Sequence, residues 1–133
     1  MSDDHPLQTI ETLLLVAVGG AIGANLRYVV GITLPGLWGT FTANVTGCFL
    51  LGLLLYEDRY ISILADRSRV VFGTGLLSSY TTYSAFAVET VQTAPVWAIV
   101  NVVANYAIGL AAVLLARSVT LRLSGETREV SRS

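Results

Sequence analysis

The sequence has no lysine, one cysteine and one histidine, and only 13% of its residues are charged, against roughly 25% for a soluble domain. Each scarcity excludes something. Cys48 alone permits neither an intrachain disulfide nor a cysteine-based zinc site. His5 lies in a polar tail and has no catalytic partner in its vicinity. No basic run could track the phosphates of a nucleic acid, which excludes that partner. The start is acidic (Asp3, Asp4) and lacks the basic region of a cleavable signal peptide, so the first apolar segment is expected to be retained as a span. No Ser/His/Asp set, paired intramembrane carboxylates or metal-ligand spacing is present, so the chain does not read as an enzyme.

What is present is apolar. Hydrophobic residues make up 53% of the chain, and the mean hydropathy is +0.66. The charges fall in 3–11, 57–69 and 117–132. Between Thr12 and Tyr56 the only charge is Arg27, and between Val70 and Ala116 it is Glu89. A bilayer core of ~30 Å takes about 20 helical residues, so each apolar block is about two spans long. Gly31, Pro35, Gly36 and Gly39 punctuate the first, and Gln92, Thr93 and Pro95 the second. These signals predict an all-α membrane protein with four helices, about 12–33, 39–56, 70–91 and 96–116. A tail over 1–11 precedes this 12–116 unit and a polar tail over 117–133 follows it. Arg59, Arg67, Arg69, Arg117, Arg122, Arg128 and Arg132 then lie on one side, and the opposite loops carry no Arg. The positive-inside rule puts both termini of this multi-pass cell-membrane protein in the cytoplasm.

The third span has a polar centre, Ser78-Ser79-Tyr80-Thr81-Thr82-Tyr83-Ser84, preceded by Gly73 and Gly75. Hydroxyl side chains compete for backbone partners and favour local unwinding. Irregular backbone at membrane depth is tolerated where protein or a polar cavity surrounds it. The run therefore predicts a broken helix at an ion site, the alternative being a continuous helix with hydroxyls as packing glue. Arg27 is either a snorkelling cation or a fixed charge at an anion vestibule. Gly19, Gly20, Gly23 and Ala24 predict a close-packing helix face. Asn44 offers amide donors either to an anion or to a neighbouring helix, and Asn101 and Asn105 repeat the pattern on the fourth span, with Tyr106 and Gly109 beyond. Glu89 reads as an interfacial carboxylate or part of a pore mouth. The polar groups are mostly donors and hydroxyls, which favours an anion path.

Three ordered motifs resemble the Fluc/CrcB fluoride channels, from about Val18 to Leu115. Gly20-Ala21-Ile22-Gly23-Ala24-Asn25-Leu26-Arg27-Tyr28 resembles the first, and the stretch from Gly39 to Phe49 with Asn44 at its centre resembles the second. Gly75 to Phe86 followed by Glu89 resembles the third. The resemblance implies an antiparallel dimer of four-helix subunits with two fluoride pores, in contact with membrane lipid. It implies pore roles for Asn44, Tyr83 and Phe86, beside the hydroxyls of Thr82 and Ser84. It also implies a structural Na⁺ held by the backbone carbonyls of Ser78 and Thr81. Ser-Ser stands where the family has Gly-Gly, which would make any positive φ there costly, and Tyr83 stands for a Phe. A rival class, small proton-coupled exporters, depends on a carboxylate buried in the first helix. Here Glu11 lies only at the entrance, and the span itself carries Arg27. The Arg asymmetry favours pairing with a homologous chain of opposite orientation over pairing with a second copy of itself.

Overall fold

The computed structural model describes residues 6–130, all of whose regular structure is helical. The readings made of His5, of the acidic start and of Arg132 lie outside the described residues. Helix α1 spans Pro6–Thr33 and opens on a proline, which is tolerated there because a first-turn N–H has no intrahelical acceptor. Leu34-Pro35-Gly36 turns the chain, and Gly36 adopts φ 67°, a left-handed backbone that glycine takes without a Cβ penalty. Helix α2 follows over Leu37–Tyr60.

The third predicted span is helical in pieces. It comprises α3 (Asp66–Val70), a π-helical segment (Val71–Leu77), α4 (Ser78–Tyr80) and, after two extended residues, α5 (Tyr83–Gln92). Helix α6 runs from Pro95 to Val130. Three helices, α1, α2 and α6, are each long and apolar enough to cross a membrane. The pieces of 66–92 are individually too short to qualify.

Four boundaries differ from the sequence expectation by four residues or more: α2 runs on to Tyr60 and the third segment begins at Asp66, so the charged stretch 57–69 is partly helical, and the other two lie in α1 and α6. Helix α1 begins six residues earlier than 12, and α6 continues through Arg117 into what reads as a polar tail. No glycine interrupts α6 between Gly109 and Gly125, and Thr120 is 2% exposed, its hydroxyl donating to the Ala116 carbonyl (3.0 Å). Packing and helix propensity together carry the helix past the end of the apolar run.

The helices pair in two sets, α1 with the π segment and α4, and α2 with α6. Both seams are built on small residues. A Cβ at Gly23 would strike the Leu76 carbonyl, and one at Gly75 would come within 2.8 Å of the Val16 carbonyl. A Cβ at Gly52 would sit 2.9 Å from that of Ala116. Backbones can approach this closely only where side chains are absent, which is how apolar helices associate without a hydrophobic driving force. Large apolar residues such as Leu13, Val18, Leu55, Ile99 and Leu114 face outward, as lipid-facing side chains do.

Charge fastens one end. Arg67 pairs with Glu11 on α1 (2.8 Å), and its guanidinium also donates to Thr12 Oγ1 (3.2 Å). Arg69 binds Glu57 (3.4 Å), Asp58 (3.0 Å) and Asp66 (2.8 Å). Glu57 Oε1 also accepts the N–H groups of Ile63 (2.6 Å) and Leu64 (2.8 Å), closing the loop after α2. The start of α3 thus lies beside the start of α1 and the end of α2. At the other end of the segment, Glu89 lies against Thr40 near the start of α2. Residues 66–92 therefore run the length of the bundle.

Candidate functional site

The break between α4 and α5 is the polar centre of the molecule. Thr81 and Thr82 are extended, with ψ of 154° and 120°. The Asn44 amide pins this stretch from α2: Thr82 N–H donates to Asn44 Oδ1 (2.9 Å), and Asn44 Nδ2 donates to the Thr82 carbonyl (3.2 Å). One amide therefore meets both polar groups of one peptide residue, replacing the helical partners they have lost. The second N–H of Asn44 makes no hydrogen bond among the described residues.

The diversion of two N–H groups frees particular carbonyls. In an unbroken helix the N–H groups of Thr82 and Ala85 would bond the carbonyls of Ser78 and Thr81. Here Asn44 takes the first, and Thr82 Oγ1, acting as N-cap of α5, takes the second (3.2 Å). The oxygen donors that this leaves suit a hard cation. Ser78 has an ordinary helical backbone (φ −67°), and the only non-glycine positive φ among the described residues is at Ser62. The serine pair consequently carries no left-handed strain.

Five of the seven hydroxyls make hydrogen bonds among the described residues. Ser78 Oγ donates to the Thr74 carbonyl and Thr81 Oγ1 to that of Leu77 (3.0 Å), bonding back along the chain. The Tyr80 hydroxyl pairs with Thr46 Oγ1 (2.9 Å). Thr82 and Ser84 face each other at 3.3 Å.

Beside the break lies a cavity of about 400 Å³, whose walls include Asn44, Ser78, Thr82, Tyr83, Phe86 and Tyr106. Phe86 is 8% exposed, whereas Tyr83 is 74% exposed, so only one of the two rings is packed within the chain. Their centroids are 5.8 Å apart, and Phe86 meets Tyr106 edge-on at 6.4 Å. A second cavity of about 210 Å³ is lined by Arg27, Tyr28, Thr40 and Thr82. Arg27 is half-buried and makes no ion pair or hydrogen bond among the described residues. Thr82 is common to the walls of both cavities. Glu89 accepts from the Thr40 hydroxyl (2.8 Å) through Oε1, while its Oε2 is buried without a hydrogen-bond partner among the described residues. The structure thus gathers Asn44, Thr82, Tyr83 and Phe86 in one cavity wall, places Arg27 in the second cavity, which shares Thr82, and leaves Glu89 outside both linings.

One polar chain escapes a sequence reading. Thr90 donates to the Phe86 carbonyl (2.6 Å), Asn101 Nδ2 donates to Thr90 Oγ1 (2.8 Å), and Asn105 Nδ2 donates to Asn101 Oδ1 (2.9 Å). It ties α5 to α6 beside the Phe86–Tyr106 contact. Asn101 and Asn105 stand out in sequence, but nothing there marks Thr90 as their partner.

A helical membrane protein with a broken, amide-pinned helix beside a polar and aromatic cavity has the architecture of an ion-conducting or transporting protein. The comparisons narrow the class. Residues 14–117 match the family described as CrcB-like protein, Camphor Resistance (CrcB), and the chain belongs to this family. It is 52% identical over 125 residues to "Fluoride-specific ion channel FluC 1" of Haloarcula marismortui, covering 94% of this chain and 98% of that one. It is 50% identical over 111 residues to "Fluoride-specific ion channel FluC 1" of Natronomonas pharaonis, covering 82% and 93%. A third relative, "Fluoride-specific ion channel FluC 2" of Halobacterium salinarum, is 46% identical over 115 residues, covering 86% and 90%.

Proposed function

We propose that the chain is a subunit of a fluoride-selective channel that passively exports F⁻ across the cell membrane and lowers its cytoplasmic concentration. The observation that carries this reading is the cavity at the helix break. It joins an unspent Asn44 donor, the Thr82 hydroxyl and the rings of Tyr83 and Phe86 in one wall, and the relatives' names agree with it. Fluoride is small and strongly hydrated, so a path must replace its water with donors and with the electropositive edges of aromatic rings. Ser84 adds a hydroxyl next to Thr82. Arg27 supplies a positive charge in the smaller cavity, and Glu89 lies near it through their shared neighbour Thr40. The freed carbonyls of Ser78 and Thr81 would hold a structural Na⁺, whose charge would stabilise the break and which is not itself carried.

In this reading residues 66–92 cross as the third of four spans, and two subunits associate antiparallel. The liposome experiment is direct. Protein reconstituted in fluoride-loaded vesicles is expected to release fluoride to an electrode without a proton gradient. Release that occurs only with a proton gradient would favour a coupled exporter, and no release under either condition would overturn the channel reading.

The orientation follows from charge. With both termini in the cytoplasm, Arg59, Arg67, Arg69, Arg117 and Arg122 all face inward among the described residues. The second subunit is then a homologous chain of opposite orientation rather than a copy. Single cysteines at the two termini, in a Cys48→Ser background, are expected to label only from the cytoplasmic side of native membranes. Equal labelling from both sides would restore the dual-orientation homodimer.

A further inference from the structure

Helix α1 packs against the bundle with one side only. Gly19 and Gly23 lie buried against the π segment and α4. Asn25 stands about 200° of helical rotation from Gly23, on the opposite side, and is exposed. One amide N–H donates to the Ala21 carbonyl of the same helix (2.8 Å), which fixes the nitrogen toward that backbone. The second N–H and the oxygen have no hydrogen-bond partner among the described residues.

Depth makes this costly. Asn25 lies fourteen residues beyond Glu11, at the end fastened to Arg67, and eight before Thr33, where the helix stops. At ~1.5 Å per residue these are about 21 Å and 12 Å along the axis, inside a hydrocarbon core of ~30 Å. Lipid tails offer an amide nothing, and unpaired polar groups at this level are expensive. What covers Asn25 must supply both a donor and an acceptor.

The surrounding face is one side of a helix pair. Val18, Ile22, Val29 and Ile32 are exposed, and with Asn25 they recur at alternating intervals of four and three, the spacing of a left-handed helix seam. Ala21, also exposed and one turn before Asn25, lets a second backbone approach closely. An apolar face alone would suit lipid. A single amide within such a seam fixes the register of two helices, and two amides face to face each supply the donor and the acceptor that the other lacks. The face is self-complementary, so its occupant is a second copy of α1.

Depth also fixes direction. In a parallel pair the two Asn25 side chains meet at one level. In an antiparallel pair centred on the span they would stand about 9 Å apart along the axis, because Asn25 lies ~4.5 Å from the midpoint.

We infer that the outward face of α1 docks, in parallel, on the α1 helix of a second copy of this chain, and that an Asn25–Asn25 amide pair within the bilayer joins them. The two copies share one orientation. This contact is therefore separate from the antiparallel association proposed above, and it would link two such assemblies side by side. It requires neither that association nor fluoride as the ion.

The test is disulfide trapping on the full chain in native membranes, in a Cys48→Ser background. Val29→Cys, one turn from Asn25 on the seam, is expected to give a linked pair on oxidation. Leu26→Cys, at similar depth but about 100° around the helix from Asn25, is expected not to. Adding Asn25→Leu to Val29→Cys is expected to slow trapping about fivefold, whereas Asn25→Gln, which keeps a donor and an acceptor, retains most of it. The melting temperature of Asn25→Leu is expected to match its parent, since the side chain bonds only its own helix. Absence of a Val29→Cys link, or trapping at an unchanged rate with Asn25→Leu, overturns the surface. A link between coexpressed Val29→Cys and Leu15→Cys chains, with none between two Val29→Cys chains, would mark an antiparallel pair and also overturns it.

Discussion

Asn44→Ala is expected to cut fluoride flux about tenfold or more, the equivalent of losing one good donor of ~1.4 kcal/mol from the barrier. The amide has two tasks. It meets the N–H and C=O of Thr82, and in the proposed channel its remaining N–H faces the ion. Removing it leaves two half-buried backbone groups without their partners, a cost that rises to about 1–3 kcal/mol each where water does not replace the amide. Asn44→Asp separates the tasks. Aspartate still accepts from Thr82 N–H but donates nothing and adds negative charge in the path. The Asp variant is therefore expected to keep more thermal stability than the Ala variant and to be at least as deficient in flux. Paired fluoride-electrode and thermal-melt measurements check this, and wild-type flux in Asn44→Ala would remove Asn44 from the pore.

The second large effect is expected in assembly of the fold. Gly23→Val would drive a side chain into the Leu76 carbonyl and the Tyr80 amide, neither of which can rotate away. Overpacking of this kind costs about 1–3 kcal/mol, and here it also pushes α1 off the broken segment that it braces. The expected result is loss of monodisperse protein or a clearly lowered melting temperature in detergent. Gly31→Ala is the control. Nothing lies within 4 Å of a Cβ there, so the helix is expected to gain roughly 0.5–1 kcal/mol from losing a flexible residue. A Gly23→Val protein as stable as the wild type would mean that the α1 seam is looser than its geometry.

Much of this fold is legible in the sequence because the signals are local. Pro35 and Gly36, and then Thr93 and Pro95, end helices for reasons of backbone geometry that no packing overrides. The hydroxyl run announced the broken helix, since its residues compete with the helix for the same backbone groups. The small residues at Gly19, Gly20 and Gly23 announced the close seam. What stayed hidden depends on register between elements distant in sequence. Thr90 looks like an ordinary mid-helix threonine until α6 brings Asn101 to it. Asn44 reads equally as a pore donor or an interhelical brace, and the structure shows the brace directly by its two bonds to Thr82. The π segment over Val71–Leu77 has no clear sequence mark beyond Gly73 and Gly75, because its wider turn answers to the α1 backbone packed against it.

A division among the arginines bears on how such a protein can change over generations. Arg67 and Arg69 are bound to the fold, so replacing either breaks contacts between helices. Arg59, Arg117 and Arg122 hold no other described residue in place, yet they count equally toward the charge difference that sets the direction of insertion. Three of the seven arginines behind that bias can therefore be exchanged as surface side chains, with the described contacts of the bundle untouched. A gene duplicate could move toward the opposite orientation by small steps, each passing through a folded protein.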